Sequence, residues 1–466
     1  MSIFNSNLDP TYIASVLKDV KGKIHFVGIL GSGMYPLARL LAGRGYNVSG
    51  SDANATDVYN DDGIIIKRSG KALEGDTAAV VYSLAIPEDD PEILCAISRG
   101  IPLISRAQML GALMGEYTTR VSVSGSHGKS TTTALIDHIL TTSGIHHTTL
   151  SGAKLTSGSR YVDSGGEIFV AEACEYKDSF LRLFPTHQII TSVELDHTDY
   201  FKSLDQLRAS FLEAAQKADI TFINCDDPVA SDIAEEMRAQ GRSVVTYGRS
   251  ELSDYRLTDV SREGELNSFS VSTDDRTLRL TTSLIGDFNL YNITAAVSVA
   301  DTLGIGQNDI KRAVSTFSTI DRRMTLVTAV DGIPVYYDYA HHPSEIREVI
   351  RALKNRHGAL TVIFRPHTYS RTQSLWNEFV SEFSKSDFTI LLDIYPAREK
   401  KISGVDSQTL AKCIKNCVYA NMHEAAHLAL SRPAGAIALL GAGEVEIPLR
   451  DLIELGESTG YIPERR

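Results

Sequence analysis

A chain of 466 residues with 43% apolar content is long enough for about three domains and a large core. Its net charge of −12, with no block of basic residues, argues against nucleic-acid backbone binding. No run of about 18 apolar residues occurs, no basic-then-apolar leader opens the chain, and five cysteines make no disulfide framework. A cytoplasmic protein without membrane insertion is therefore expected.

Residues 1–22 read as a short lead-in. Ile24, Phe26, Val27 and Ile29 then give a buried-strand pattern, and Gly28, Gly31 and Gly33 follow in a tight turn. Leu37, Leu40 and Leu41 mark a helix, residues 46–49 a second strand, and Asp52 lies at or just beyond its end. This is a βαβ nucleotide-binding unit with its acidic residue about 20 places past the glycines. The dinucleotide fingerprint breaks at its third glycine, because Pro36 follows Gly31-x-Gly33. The loop instead suits some other diphosphate. Strands at 79–82 and 101–104 run into Ser83-Leu84-Ala85-Ile86-Pro87 and Ser105-Arg106. Such strand-end loops line the crevice of an open parallel sheet, where Arg106 can pair with an anion. The first domain is expected to span 1–115.

The next strand carries Val121 and Val123 and runs into Ser124-Gly125-Ser126-His127-Gly128-Lys129-Ser130. A helical pattern follows through Leu135, Ile136 and Leu140. Strand, glycine loop, Lys-Ser and helix are the setting of a phosphate-binding loop. The glycines let backbone N–H groups converge, and the helix N-terminus adds partial positive charge. Lys129 can reach the outer phosphates, and the Ser130 or Thr131 hydroxyl can hold Mg²⁺. The strict motif has glycine where Val123 stands, so this is a shorter variant.

Strand 169–171 ends in Glu172-Ala173-Cys174-Glu175, and strand 188–192 ends in Glu194-Leu195-Asp196-His197. Both put metal-binding groups on the edge where the phosphate loop lies, so Glu172 and His197 are candidate Mg²⁺ ligands. Strand 220–224 precedes a turn at Asp226-Asp227-Pro228, and residues 244–285 read as a peripheral sheet. Asn289 and Asn292, one turn apart, open an Ala-rich helix over 293–303. Their amides suit an adenine edge. The central domain is expected to span 116–318.

The third domain, 319–466, opens with Asp321-Arg322-Arg323. Strand 335–337 runs into Asp338-Tyr339-Ala340-His341-His342-Pro343, with a helix from Ser344. Strand 360–364 runs into Arg365-Pro366-His367-Thr368-Tyr369-Ser370-Arg371, and strands 388–394 and 436–440 complete an alternating β/α pattern. His423-Glu424-Ala425-Ala426-His427 matches the two-histidine motif of zinc proteases, with Cys413 and Cys417 one helical turn apart upstream. No third ligand follows, and an amphipathic helix over 424–430, before Pro433, accounts for the stretch. Trp376 is expected to serve packing.

These motifs resemble the Mur ligases, which join amino acids to peptidoglycan precursors. The resemblance is carried by His25-Phe26-Val27-Gly28 with Gly31-x-Gly33-Met34, Ser49-Gly50-Ser51-Asp52, Ser83–Pro87, the loop with His127, and Glu194-x-Asp196-His197. Asp338–Pro343 and Pro366–Thr372 are its most specific matches, and they resemble the branch that adds L-alanine. The resemblance implies three α/β domains: Rossmann-like, central P-loop-type ATPase, and C-terminal Rossmann-like. It implies an ATP-dependent ligase that joins L-alanine to the carboxylate of UDP-N-acetylmuramate through an acyl phosphate, as a monomer or weak homodimer. A ligase for another amino acid or a recycled peptide, or a silent UDP-sugar sensor, is the alternative. Gly28, Gly31, Ser32, Gly33, Met34, Asp52, Ser83, Ala85, Ile86 and Arg106 would hold the UDP-sugar. Gly125, Ser126, His127, Gly128, Lys129, Ser130, Thr131, Asn289, Asn292 and Arg322 would bind ATP, with Mg²⁺ on Ser130, Glu172 and His197. Asp338, His341, His342, His367 and Arg371 would surround the amino acid, and one of the three histidines would take the amine's proton. The chain departs from the family pattern at Leu30, Cys174, Phe288 and Thr368.

Overall fold

A computed structural model describes residues 10–458 other than 57, 62, 71, 199, 398, 433 and 444. Residues 1–9 of the expected lead-in and Pro433 lie outside the described residues. The described residues form two compact units, one within 1–260, 269–280 and 291–317 and the other within 261–268, 281–290 and 318–466.

The first unit opens with a helix, Pro10–Asp19, where only a lead-in was expected. Ile13 and Leu17, four apart on one face, are buried in the same core as Leu110, Leu113 and Met114 of the helix Arg106–Met114. The first sheet holds β1 (Lys23–Val27), β2 (Val48–Asp52), β3 (Tyr59–Asp61), β4 (Ile64–Arg68), β5 (Thr77–Tyr82) and β6 (Leu103–Ser105), in the order β3-β4-β2-β1-β5-β6. All pairs but β3-β4 are parallel. β1 lies between β2 and β5, so the glycine turn after β1 emerges where the chain leaves to either side. That is the crevice position of an open α/β sheet. β2 and β6 each start two residues later than the sequence pattern suggested.

The second sheet holds β7 (Thr119–Ser124), β8 (His147–Leu150), β9 (Tyr161–Asp163), β10 (Ile168–Glu172), β11 (His187–Ile190), β12 (Ile220–Asn224) and β13 (Ser243–Gly248), in the order β13-β12-β11-β7-β10-β8-β9. β14 (Tyr255–Glu263), β15 (Leu266–Ser272) and β16 (Thr277–Thr282) continue its β13 edge. Residues 244–285 therefore extend the central sheet and do not form a separate one: β13 pairs in parallel with β12 along five residues. The turn at 226–228 is a helix start, with Asp227 capping Pro228–Ala239. Because β7 is flanked by β10 and β11, with Glu172 opposite Val123 and Ile190 opposite Ser124, three loops leave the sheet side by side.

The second unit carries β17 (Thr325–Val330), β18 (Ile333–Asp338), β19 (Leu360–Phe364), β20 (Phe388–Leu391), β21 (Cys417–Tyr419) and β22 (Ala436–Leu440), in the order β17-β18-β22-β19-β20-β21. β19 and β22 are wholly buried, as expected of parallel strands in a sheet interior. Asp338 and Phe364 both pair with Leu440, and Phe364 also pairs with Leu391, so four strands end in one row. Trp376 packs on this core as expected.

Candidate active site

Gly128 has φ +82° and Gly125 φ +136°. A Cβ on Gly125 would overlap Thr191 Oγ1, and one on Gly128 would overlap Asn292 Oδ1, so space as well as backbone angle demands glycine. Gly128 caps the helix Lys129–Thr142 without a side-chain bond. The first-turn N–H groups are thus left without intrahelical partners, the setting for an anion. Neighbouring β11 explains what holds the loop. Ser126 Oγ donates to Glu194 O and accepts from Glu194 N, both at 2.8 Å. His127 N donates to Ser192 Oγ at 3.1 Å, and its Nε2 lies 2.8 Å from Glu194 Oε2.

Behind the loop the sequence-predicted groups meet. Lys129 Nζ donates to both oxygens of Glu175 at 3.1–3.2 Å, to Ser126 O at 3.2 Å, and to Gly125 O. His197 Nε2 lies 3.7 Å from Glu175 Oε1. Burial is the largest influence and pulls the Lys129 ammonium down, but the charge and hydrogen bond of Glu175, with Cys174 and Glu172 nearby, together outweigh it and leave the lysine above its ordinary value. Ser130 Oγ donates to Glu172 Oε2 at 3.1 Å, while Ser151 Oγ and Gly152 N donate to Oε1 at 2.6 and 2.8 Å. Glu175, only 2% exposed, is the residue that reading by motif missed. Its signal was two carboxylates three apart at one strand end. Thr131 is buried one place beyond Ser130.

The asparagines separate. The helix begins at Asp287, six residues before the expected start, so both lie within it. Asn292 Oδ1 accepts from Thr132 Oγ1 at 3.3 Å and faces Gly128, whereas Asn289 Nδ2 donates to Ile285 O at 2.8 Å.

At the first sheet, Asp52 Oδ2 accepts from Leu30 N and Oδ1 from Asn54 N, both at 3.0 Å. Gly28 and Ile29 N–H groups donate to Ser51 O. Asp52 therefore braces the glycine turn from behind. The Arg106 guanidinium lies against Gly33, Ile86 packs on Gly28, and Met34 on Gly31, with Ser32 exposed beside them. Ser83 Oγ accepts from Ala85 N, closing the second loop. Lys177 reaches this loop from the segment after Glu175, donating to Leu84 O at 3.3 Å.

In the second unit the row of strand ends gathers the other groups. Asp338 accepts from Met324 N and Ala340 N, both at 2.7 Å. His341 and His367 rings stand 5.9 Å apart, and His367 stands 5.6 Å from Tyr395. Arg371 Nη1 lies 3.3 Å from His367 Nδ1. His342 caps the helix Pro343–His357, with Glu345 completing a capping box. Arg322, at φ +60°, lies over Tyr337 and offers its carbonyl to Tyr339 N. Tyr395 and Glu345 had no motif to mark them.

Burial pushes the Asp338 carboxyl up to about 6; the Arg323 charge opposes this and Glu345 adds to it. The folded state thus holds this proton more tightly than the unfolded chain. The contribution is fully present below the unfolded value and is lost as pH rises through 6. Relative to Asp338→Asn, the wild type should lose on the order of 3 kcal/mol between pH 4 and 7, measured by denaturant unfolding.

The zinc-protease pattern does not form as a helix motif. His423 lies in a turn, the helix is Ala425–Leu430, and His427 is exposed on it. Cys413 ends one helix and Cys417 starts β21, so they are not a helical turn apart.

Three family models cover most of the chain: the Mur ligase family catalytic domain over 23–118, the Mur ligase middle domain over 123–300, and the Mur ligase glutamate ligase domain over 322–443. A UDP-N-acetylmuramate–L-alanine ligase of Desulfatibacillum aliphaticivorans is 36% identical over 447 residues, covering 91% of this chain and 96% of the relative. One from Anaeromyxobacter is 33% identical over 464 residues, 95% and 100% of the two chains. A solved structure of the UDP-N-acetylmuramate–alanine ligase of Thermotoga maritima matches with TM-score 0.78 at 24% identity, covering 94% of this chain and 100% of that one. A murein peptide ligase structure from Psychrobacter arcticus matches at 0.66 and 22% identity, over 93% and 98%. With three domain models in order and relatives matched almost end to end, this chain belongs to the Mur ligase family.

Proposed function

We propose that the chain is an ATP-dependent ligase that joins L-alanine to the carboxylate of UDP-N-acetylmuramate, in peptidoglycan precursor synthesis. The carrying observation is the phosphate loop with Lys129 paired to buried Glu175, and with Ser130 bonded to Glu172. The curated relatives named for this reaction, at 33–37% identity, support the substrates. The UDP-sugar carboxylate attacks the γ-phosphate of ATP, giving an acyl phosphate and ADP. The amino group of alanine then displaces phosphate to form the amide. Lys129 and the first-turn N–H groups stabilise phosphoryl charge, which is where such chemistry gains most. Gly28–Met34, the Ser83–Ile86 turn and Arg106 hold the UDP-sugar, with Asp52 as the brace. Asp338, the histidines and Arg371 surround the amino acid.

The hydroxyl of Ser130 and the carboxylate of Glu172, 3.1 Å apart, are the hard oxygen donors that Mg²⁺ prefers. With His197 they would hold the ion, which neutralises phosphate charge when bound. His197→Ala should raise the Mg²⁺ concentration for half-maximal rate by roughly 10-fold. Glu424→Ala and His427→Ala should leave it unchanged, and an equal shift in all three would remove His197 from the set. A cytoplasmic monomer or weak homodimer fits five free cysteines and the net charge. No described helix is long and apolar enough to cross a membrane. ADP release with UDP-N-acetylmuramate against alanine, other amino acids and a tripeptide tests the whole reading. Release that ignores the amine would overturn it.

A further inference from the structure

Three histidines gather at the strand ends of the second unit, and their hydrogen bonds set three different tasks. A neutral imidazole has one N–H and one basic nitrogen, and each neighbour's chemistry fixes which is which. At His342, Nδ1 accepts from the Ser344 N–H as the cap of its helix. Its proton is then on Nε2, and the ring is committed to the helix start. At His367, the neighbour of Nδ1 is the Arg371 guanidinium, which has only donors. Nδ1 must accept, and the proton again sits on Nε2.

His341 is reversed. Its Nδ1 lies 3.0 Å from Tyr339 O, a carbonyl that can only accept. Nδ1 therefore carries the proton and Nε2 carries the lone pair. Glu345 Oε2 stands 3.4 Å from the same Nδ1, and accepts from the His341 backbone N–H at 3.0 Å. A carboxylate there stabilises the imidazolium once Nε2 has taken a proton, and keeps the ring oriented. Tyr339, Glu345 and His367 are among the groups beside His341, with Arg371 behind His367.

We infer that His341 Nε2 is the proton acceptor for the incoming amine, with Glu345 as its positioning residue, while His367 presents Arg371 and His342 caps its helix. The inference rests on the ligase reading above. Alanine arrives as an ammonium, and Nε2 takes the first proton. The freed lone pair forms the C–N bond as the acyl C–O bond to phosphate breaks. The second nitrogen proton leaves with the phosphate as hydrogen phosphate, and the imidazolium proton returns to solvent.

The two half-reactions separate the outcomes. His341→Asn keeps an amide N–H toward Tyr339 O but has no basic nitrogen. It should form acyl phosphate from ATP and UDP-N-acetylmuramate at the wild-type rate, measured by trapping with hydroxylamine. Its kcat/KM for alanine should fall by roughly 10²-fold or more near pH 7. The deficit should narrow as pH rises and alanine deprotonates by itself. His367→Asn should raise the alanine KM yet keep the wild-type acidic limb of the pH profile. If His341→Asn does not fold, His341→Gln takes its place. A His341 variant that keeps alanine kcat/KM within roughly 3-fold, or that loses acyl-phosphate formation in equal measure, would overturn the assignment. So would loss of the acidic limb in His367→Asn alone. A wild type that forms no acyl phosphate would instead overturn the ligase reading itself.

Discussion

Lys129→Ala should lower turnover by roughly 10²–10³-fold while UDP-N-acetylmuramate still binds with near wild-type affinity. The division follows from position: Lys129 serves the loop after β7, whereas the glycine turn after β1, the Ser83–Ile86 turn and Arg106 gather at another sheet. Stability adds a complication that the structure makes visible. Glu175 is 2% exposed and loses its lysine, with the His197 ring left 3.7 Å away. A buried charge stripped of its partner costs about 3–5 kcal/mol, so the single variant should also melt earlier. Lys129→Ala combined with Glu175→Gln removes the orphaned charge. That double variant should recover most of the lost stability and none of the turnover. Recovery of both would make the lysine a structural cation only. Calorimetry showing lost UDP-sugar affinity in the folded double variant would break the division of labour between the two sheets.

The elements read best from sequence were those dominated by one force. β12, β19 and β22 match their expected bounds residue for residue, because central parallel strands are covered on both faces and read as short, mostly apolar runs. The helix Pro10–Asp19 was missed because its only buried residues, Ile13 and Leu17, gain their partners about a hundred residues later. The helix at Asp287 was started late because two asparagines resemble a loop until Asn292 is seen against Thr132 and Gly128. At the candidate site, Lys129, Glu172 and His197 were legible as motif members. Their meeting depended on strand order, since β10 and β11 flank β7 although 44 and 63 residues separate their starts from Ser124. Tyr395 carries no motif, and Glu175 stood in the sequence only as a second carboxylate three places after Glu172, so their places come from the pairings across these ends.

Arg371→Lys should raise the KM for alanine by roughly 10-fold or more, the equivalent of losing a charge-assisted hydrogen bond of about 1.5–3 kcal/mol. A guanidinium grips a carboxylate through two parallel N–H donors, and an ammonium cannot reproduce that fork. The KM values for ATP and UDP-N-acetylmuramate should stay close to wild type, because those ligands are assigned to other loops. Arg371 sits on the short helix Tyr369–Ser374, whose start is pinned by Thr368 N donating to Tyr395 O. Its contact with His367 Nδ1 opens a rival account, in which the arginine only fixes that ring. A double-mutant cycle with His367→Asn divides the two. If Arg371 acts only through the ring, it should have no further effect once His367 is gone. If it grips the carboxylate, most of its effect should persist. Sole dependence on the helix predicts something else: a lower melting temperature with three unchanged KM values. An unchanged alanine KM in the folded variant would therefore sink the assignment and turn attention to Arg365. That residue lies 4.9 Å over the Tyr395 ring and leans toward Asp393 O, in the same row of strand ends.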